Sequence, residues 1–376
     1  MKKILVICST LDLDLPYGAT PALWQLLKAL YEQGCEIIVI PYLGKSINSL
    51  WWRCYENPVR AMGDVYLNVR NLFKTSNFGG GYITKLARPL ILRNWKKLLH
   101  NILDKEEIDF AFFFHVPLNQ MVGLAETING EYGVPTIYYE VDLPTSLPEY
   151  GGFSISHFNG ADLSEYDLFL IASEGCKKKI EEMGANRVEL LHFGVDPSVF
   201  APIEIEKSID VMFSGLGSKG REEYITELVS KPSLHTDYKF VVSGQWYSMD
   251  MGRAKVIPPV PFSSWRNYCC GSKINLSITR KPHSIVYGSS ISRPFELAAM
   301  GCCVVSSEHR GIEQWLKPKE EIIIVNDSSE AIETYKWLLS DDEERKRIAT
   351  NARRRVLKDH TFQNRAKELL DLARQL

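Results

Sequence analysis

A chain of 376 residues, 45% hydrophobic and 24% charged, has the composition of an ordinary globular protein and enough length for two α/β cores. Its formal net charge of −2 gives no global pull toward nucleic acid or an anionic bilayer, and no apolar run approaches the roughly 20 residues that span a membrane. The eight cysteines are spaced neither as a disulfide framework nor as a zinc site, which points to reduced thiols, no metal centre and a cytoplasmic location.

The opening MKKILVICSTLDLD is too short in its apolar part for a leader and lacks a cleavage pattern, so Lys3 to Cys8 reads as a first strand. After the loop Ser9 to Ala19, Thr20 caps a helix with Pro21 in its first turn, and Leu23, Leu26, Leu27 and Leu30 fall at helical spacing. Gly34 closes the helix and Glu36 to Ile40 is the next strand. This βαβ unit implies a parallel sheet with ligands at the carboxyl ends of its strands, where the loop Leu11 to Gly18 lies.

From Lys45 to His100 the alternation breaks. Arg53, Arg60, Arg70, Lys74, Lys85, Arg88, Arg93, Lys96 and Lys97 face only Glu56 and Asp64, and Trp51, Trp52, Tyr55, Tyr66, Phe73, Phe78, Tyr82 and Trp95 are interleaved. Such a mixture suits an anionic membrane surface. It equally suits a polyanion, or solvated helix faces with their aromatics turned inward; no nucleic-acid motif accompanies it. Phe78-Gly79-Gly80-Gly81 reads as a loop able to cover an acceptor, and Ile91, Leu92, Trp95, Leu98, Leu99 and Ile102 make the following helix amphipathic.

Ile108 to Phe114 is a buried strand that delivers His115 to the rim of the sheet, where an imidazole near its reference pKa of about 6.5 can shuttle a proton or donate a hydrogen bond. The next strand, Pro135 to Val141, ends in Glu140 and Asp142. These carboxylates point the same way by alternation and can stabilise an oxocarbenium-like transition state or take a proton from an acceptor hydroxyl. Asp167 to Ala172 and Arg187 to Leu191 are further strands, separated by a helix from Glu174 to Met183.

Pro202 to Lys207 is a linker, after which strand and helix alternate afresh. Asp210 to Ser214 enters Gly215-Leu216-Gly217-Ser218-Lys219-Gly220-Arg221 and a helix from Glu222 to Ser230. The string satisfies G-x-G-x-x-G, but the strand Tyr238 to Ser243 ends in Gly244-Gln245-Trp246 without the acidic residue that a dinucleotide site requires. What the loop offers is backbone N–H groups, a helix start and the cations Lys219 and Arg221, which suit a diphosphate. Ala254 to Val260 is a short strand with a proline-rich loop. Lys273 to Thr279 then delivers Arg280, and a helix from Pro294 carries Glu296 in its first turn until Gly301 ends it before the strand starting at Cys302.

The succession of strand, Arg280, spacer, Ser292-Arg293-Pro294-Phe295-Glu296, Gly301, strand and Glu308-x-x-Gly311 resembles the nucleotide-sugar site of glycosyltransferases with the glycosyltransferase-B fold, in particular the CgeB-like, spore-maturation-type group related to retaining family 4 enzymes. His192-Phe193-Gly194-Val195-Asp196-Pro197 resembles the passage by which such enzymes leave their first domain. Family 4 enzymes carry a further glutamate at the position occupied here by Gly288.

The resemblance implies two doubly wound Rossmann-like domains facing across a cleft. Residues 1–200 would bind the acceptor, residues 201–355 the nucleotide sugar, and a last helix within 356–376 would return to the first domain. It implies a transfer of hexosyl type from a nucleoside-diphosphate sugar, UDP-sugar favoured, to a hydroxyl of a glycan, lipid-linked or small-molecule acceptor, with retention and without a metal. The donor would be held by Gly215, Gly217, Ser218, Lys219, Arg221, Arg280, Ser292, Arg293, Phe295 and Glu296, with Glu296 on the ribose and Lys219 and Arg280 stabilising the departing diphosphate. Tyr17, Gly18 and His115 would face the acceptor. An epimerase of the same fold and a non-catalytic nucleotide-sugar or glycan binder are the alternatives.

Overall fold

The computed structural model describes residues 2–12, 22–59, 80–151, 158–217 and 220–376, with backbone alone for 80–88. Two parallel sheets organise the chain. The first has seven strands in the order β3-β2-β1-β4-β5-β6-β7: β1 Lys3–Thr10, β2 Glu36–Leu43, β3 Arg53–Cys54, β4 Phe110–Phe114, β5 Thr136–Glu140, β6 Leu168–Ile171 and β7 Val188–Leu190. The second has six in the order β10-β9-β8-β11-β12-β13: β8 Ile209–Ser214, β9 Phe240–Ser243, β10 Lys255–Ile257, β11 Ser272–Ser277, β12 Val304–Ser307 and β13 Ile323–Val325. Both have the doubly wound order expected, and no helix among the described residues is long and apolar enough to cross a membrane.

Near-continuous apolar strands are what a sheet covered on both faces requires. In β1, Leu5 and Ile7 pack on one side with α2 (Gly80–Leu103) and α3 (Leu124–Tyr132), through Trp95, Leu99, Leu124 and Ile128. Ile4, Val6 and Cys8 pack on the other with α1 (Ala22–Glu32), through Leu23, Leu26, Leu27 and Leu30. Each leucine so buried contributes about 1.5–3 kcal/mol. In the second sheet Val211 and Phe213 share one face with Ile225 and Leu228, while Val304 shares the other with α4 (Phe262–Cys270) and α5 (Ser292–Ala299), through Trp265, Phe295 and Leu297.

Several elements depart from the sequence reading, among them the helix Leu124–Tyr132, which was not foreseen. The short edge strand β3 was not foreseen, since two residues carry no periodicity. Helix α2 already begins at Gly80, so Gly80 and Gly81 belong to a helix rather than a lid; Phe78 and Gly79 lie outside the described residues.

The chain crosses between the sheets twice, and the crossings lie side by side. Val195 N–H donates to His360 O at 3.1 Å and Phe362 N–H to Val195 O at 3.0 Å. Gly194 is required there for close approach rather than for a turn, because a Cβ would stand 2.8 Å from the Thr361 carbonyl carbon. Beyond the second crossing, α6 (Asp342–Asp359) gives way to α7 (Phe362–Ala373), which starts with a Thr361 capping box and lays Phe362, Ala366, Leu369 and Leu370 against the α1 side of the first sheet.

Candidate active site

The carboxyl ends of the two sheets meet. On the first, β4 ends in His115, whose backbone is left-handed at φ 49°, a conformation uncommon for non-glycine residues. Its Nδ1 stands 2.6 Å from Oε1 of Glu140, the fully buried last residue of β5. Glu140 also accepts from the Tyr138 hydroxyl at 3.1 Å and from the Asp142 N–H at 3.0 Å. Burial works against a charge on His115, but the Glu140 carboxylate and then Asp142 outweigh it and raise its pKa to about 9. The pairing with Glu140 thus biases His115 toward its protonated, hydrogen-bond-donating form.

On the second sheet, β11 runs on through Thr279 to Arg280, which precedes the short helix Lys281–Ile285. The Arg280 guanidinium donates to Asp142 Oδ1, and His283 Nε2 lies 2.7 Å from the same oxygen. Burial pushes the Asp142 carboxyl up, yet His283 and Arg280 together hold it well below the usual carboxylate range. His283 itself is buried and its pKa is lowered by that burial. Its Nδ1 meets Ser289 Oγ at 2.8 Å, and Ser289 Oγ meets Ser173 Oγ, from the first sheet, at 2.8 Å. Around these side chains the backbones join: Ser290 N–H donates to Ala172 O at 2.8 Å and Gly175 N–H to Tyr287 O at 2.9 Å. Gly288, at φ 60°, lies in this seam, and a Cβ there would stand 2.9 Å from Cβ of Glu174, so the further glutamate of family 4 enzymes has no room.

The turn after β8 differs from expectation in what it offers. Gly215 N–H is taken by Ser243 O at 3.0 Å and Gly217 N–H by Gln245 O at 2.9 Å, so neither is free for a phosphate. Both glycines serve packing, since a Cβ on Gly217 would lie 2.5 Å from the Tyr247 ring. Gly220 N–H and Arg221 N–H are held by the Glu222 carboxylate at 2.6 and 3.0 Å. The remaining asset is charge. Burial, then the neighbouring Arg280 and Arg293, lower the Arg221 pKa to about 10, and its Nε is shut from solvent without a hydrogen-bond partner. Ser218, Lys219, Tyr17 and Gly18 lie outside the described residues.

Helix α5 begins at Ser292, two residues before Pro294. Glu296 is buried, and burial raises its pKa against the opposing pull of Arg293 and Ser292. Arg293 NH1 stands 3.3 Å from Glu296 Oε2, and the guanidinium lies over the Trp265 ring at 4.4 Å from its centroid. Neither that nitrogen nor that oxygen has a hydrogen-bond partner. Phe295, assigned above to the donor, points the opposite way, packing on Trp315 and His360; helical rotation alone separates it from its neighbour Glu296.

The arrangement brings together Arg221, Arg280, Arg293 and Glu296 from the second sheet with His115, Glu140 and Asp142 from the first. Arg280 and Arg293 both weigh on the buried Arg221 guanidinium, whose Nε has no hydrogen-bond partner, so positive charge is concentrated where the two sheets meet, a setting that suits an anion. His283, Ser289, Ser173 and Trp265 were missed by the sequence reading. No local pattern marks a side chain such as His283, whose partner is on another sheet.

Two facing doubly wound sheets, with the last helix returned to the first, are the glycosyltransferase-B fold. Residues 221–371 match the family model described as glycosyl transferase-like. Over 100% of this chain the structure is similar to sucrose-phosphate synthase from Thermosynechococcus elongatus (TM-score 0.70, 12% identity, 99% of that chain). It is likewise similar to Anabaena HepE in complex with UDP and glucose (TM-score 0.68, 13% identity, 100% of each chain) and to T4 phage BGT in complex with its UDP-glucose substrate (TM-score 0.63, 12% identity, 100% of each chain). No curated protein matches significantly in sequence.

Proposed function

We propose that the protein is a glycosyltransferase that moves a sugar from a UDP-sugar to an acceptor hydroxyl with retention of configuration. The observation that carries this reading is the convergence of Arg221, Arg280 and Arg293 beside Glu296, facing His115 across the meeting ends of the sheets. The three cations supply the charge that a departing nucleoside diphosphate needs, so the reaction proceeds without a divalent metal. Glu296 takes the ribose hydroxyls and protonated His115 steadies the sugar. Residues 1–200 bind the acceptor and 201–355 the donor. The similar structures determined with UDP or UDP-glucose support the choice of nucleotide. Helix α2 presents exposed Arg93 and Lys97 beside Leu90, which is 50% exposed, and this face supports docking on an anionic membrane that holds the acceptor.

Thermal shift across UDP-, GDP-, dTDP- and ADP-sugars tests the donor. A UDP-sugar at 100 times its Kd adds about 2.7 kcal/mol of stability. Transfer is then followed by NMR of the product anomer, with chelator present and absent. Binding without transfer to any acceptor, or release of an epimerised nucleotide sugar, would overturn the reading, as would activity that EDTA abolishes and Mn²⁺ restores.

A further inference from the structure

All eight cysteines are free thiols, and two meet beneath the helices that flank the site. Cys270 ends α4 and Cys302 follows the turn that closes α5. The Cys302 Sγ lies 3.6 Å from the carbonyl oxygen of Cys269, and the Cys270 Sγ lies 3.8 Å from that of Met300, so each thiol rests on the other's segment. Their surroundings are asymmetric. Cys302 is sealed in the core, whereas Cys270 sits nearer the surface beside Lys207, whose ammonium donates to the carbonyls of Cys270 and Ser272 at 3.0 and 2.9 Å. The neighbouring Cys302 thiol and then the Lys207 charge lower the Cys270 thiol against burial, while Cys302 is pushed up. Cys270 is thus the more readily ionised of two neighbouring buried thiols. Cys303 belongs to the packing cluster on the opposite face of the sheet and does not compete.

We propose that Cys270 and Cys302 are a redox-responsive pair that closes to a disulfide when a peroxide reaches them. The Cys270 thiolate attacks one peroxide oxygen; the O–O bond breaks, and the departing hydroxide takes up a proton to leave as water, giving a sulfenic acid. The Cys302 sulfur, losing its proton, then attacks the Cys270 sulfur. The S–O bond breaks, the S–S bond forms and a second water departs. Peroxide gains two electrons and each sulfur gives up one. The bond would staple the far ends of α4 and α5, the helices that carry Trp265, Arg293 and Glu296, and a dithiol reductant would release it.

The native protein, treated with excess hydrogen peroxide, alkylated under denaturing conditions and digested, is examined by tandem mass spectrometry. The expected result is a Cys270–Cys302 cross-linked peptide about 2 Da lighter than its two reduced parts and lost on dithiothreitol treatment. Cys269→Ser and Cys303→Ser keep the cross-link; Cys270→Ser and Cys302→Ser lose it. A bond to Cys269 or Cys303, sulfinic acid at Cys270 without a cross-link, or peroxide-resistant thiols would overturn the proposal. Mapping the wild-type protein decides the matter even if a serine variant fails to fold, and it does not depend on which nucleotide sugar binds.

Discussion

The carboxylate of Asp142, just beyond β5, receives the guanidinium of Arg280, just beyond β11, so one ion pair spans the two sheets at the place proposed for the donor diphosphate. Both partners are only about a quarter exposed, at 25% and 27% of the side chain, and the pair is therefore screened less than a surface bridge. An incoming phosphate must compete with Asp142 for Arg280. Asp142→Asn removes the competitor while keeping the shape, and UDP should bind about tenfold more tightly, roughly 1.4 kcal/mol, by isothermal titration. Weaker binding would mean that Asp142 stays in place to orient Arg280.

Arg280→Ala removes a cation that the leaving diphosphate requires and leaves Asp142 facing His283 alone. The variant should lose about 10²–10³ in kcat, in the range for deletion of a preorganised charge-stabilising donor. Steady-state kinetics with a UDP-sugar measure it, and Arg280→Lys should recover only part because the forked geometry is lost.

His115 is protonated in the folded protein up to about pH 9, against about 6.5 unfolded. Its contribution, of order 2 kcal/mol, is present in full below about pH 6.5 and disappears as pH rises through 9. Urea denaturation from pH 6 to 10 should show that decline, and Glu140→Gln should flatten it. The half-buried His192 and the buried His309 behave oppositely: desolvation lowers each to about 4, so their contribution is present above about 6.5 and is lost as the solution is acidified.

Glu296 should read the ribose. With a buried carboxylate oxygen that accepts no hydrogen bond and has only the Arg293 ion pair, the wild-type protein should prefer UDP to 2′-deoxy-UDP by about tenfold, and Glu296→Ala should bind both equally weakly. Competitive titration of the two nucleotides gives the ratio.

Gly244→Ala should fail at the level of packing. An added Cβ would fall 1.8 Å from Gly215 O, backbone against backbone, in the turn that holds Arg221 near the site. A loss of about 1–3 kcal/mol in urea denaturation is expected, with nucleotide binding weakened in parallel.

The sheets were legible because parallel strands buried on both faces write themselves as short apolar runs punctuated by glycine and helix caps, as in Lys3 to Cys8 and Lys273 to Thr279. The helix carrying Glu296 was legible, but it begins at Ser292, which moves Glu296 out of the first turn where the sequence put it. Relations between separate segments were not legible. Gly194 looks like a turn residue until Thr361 is seen against it, and the Gly215 and Gly217 N–H groups look bare until the end of β9 and the turn after it supply their acceptors. The shifted pKa of His115 depends on Glu140, twenty-five residues away, whose orientation no alternation rule fixes.

The paired crossings at Val195 and Phe362 make each half of the molecule depend on polypeptide from the other side of the linker. Cutting the chain at 203–206 would yield an amino-terminal fragment with its α1 flank uncovered and a carboxyl-terminal fragment trailing an orphan amphipathic segment. The two pieces, made together in one cell, should find each other and reassemble; made apart, each should be prone to aggregate.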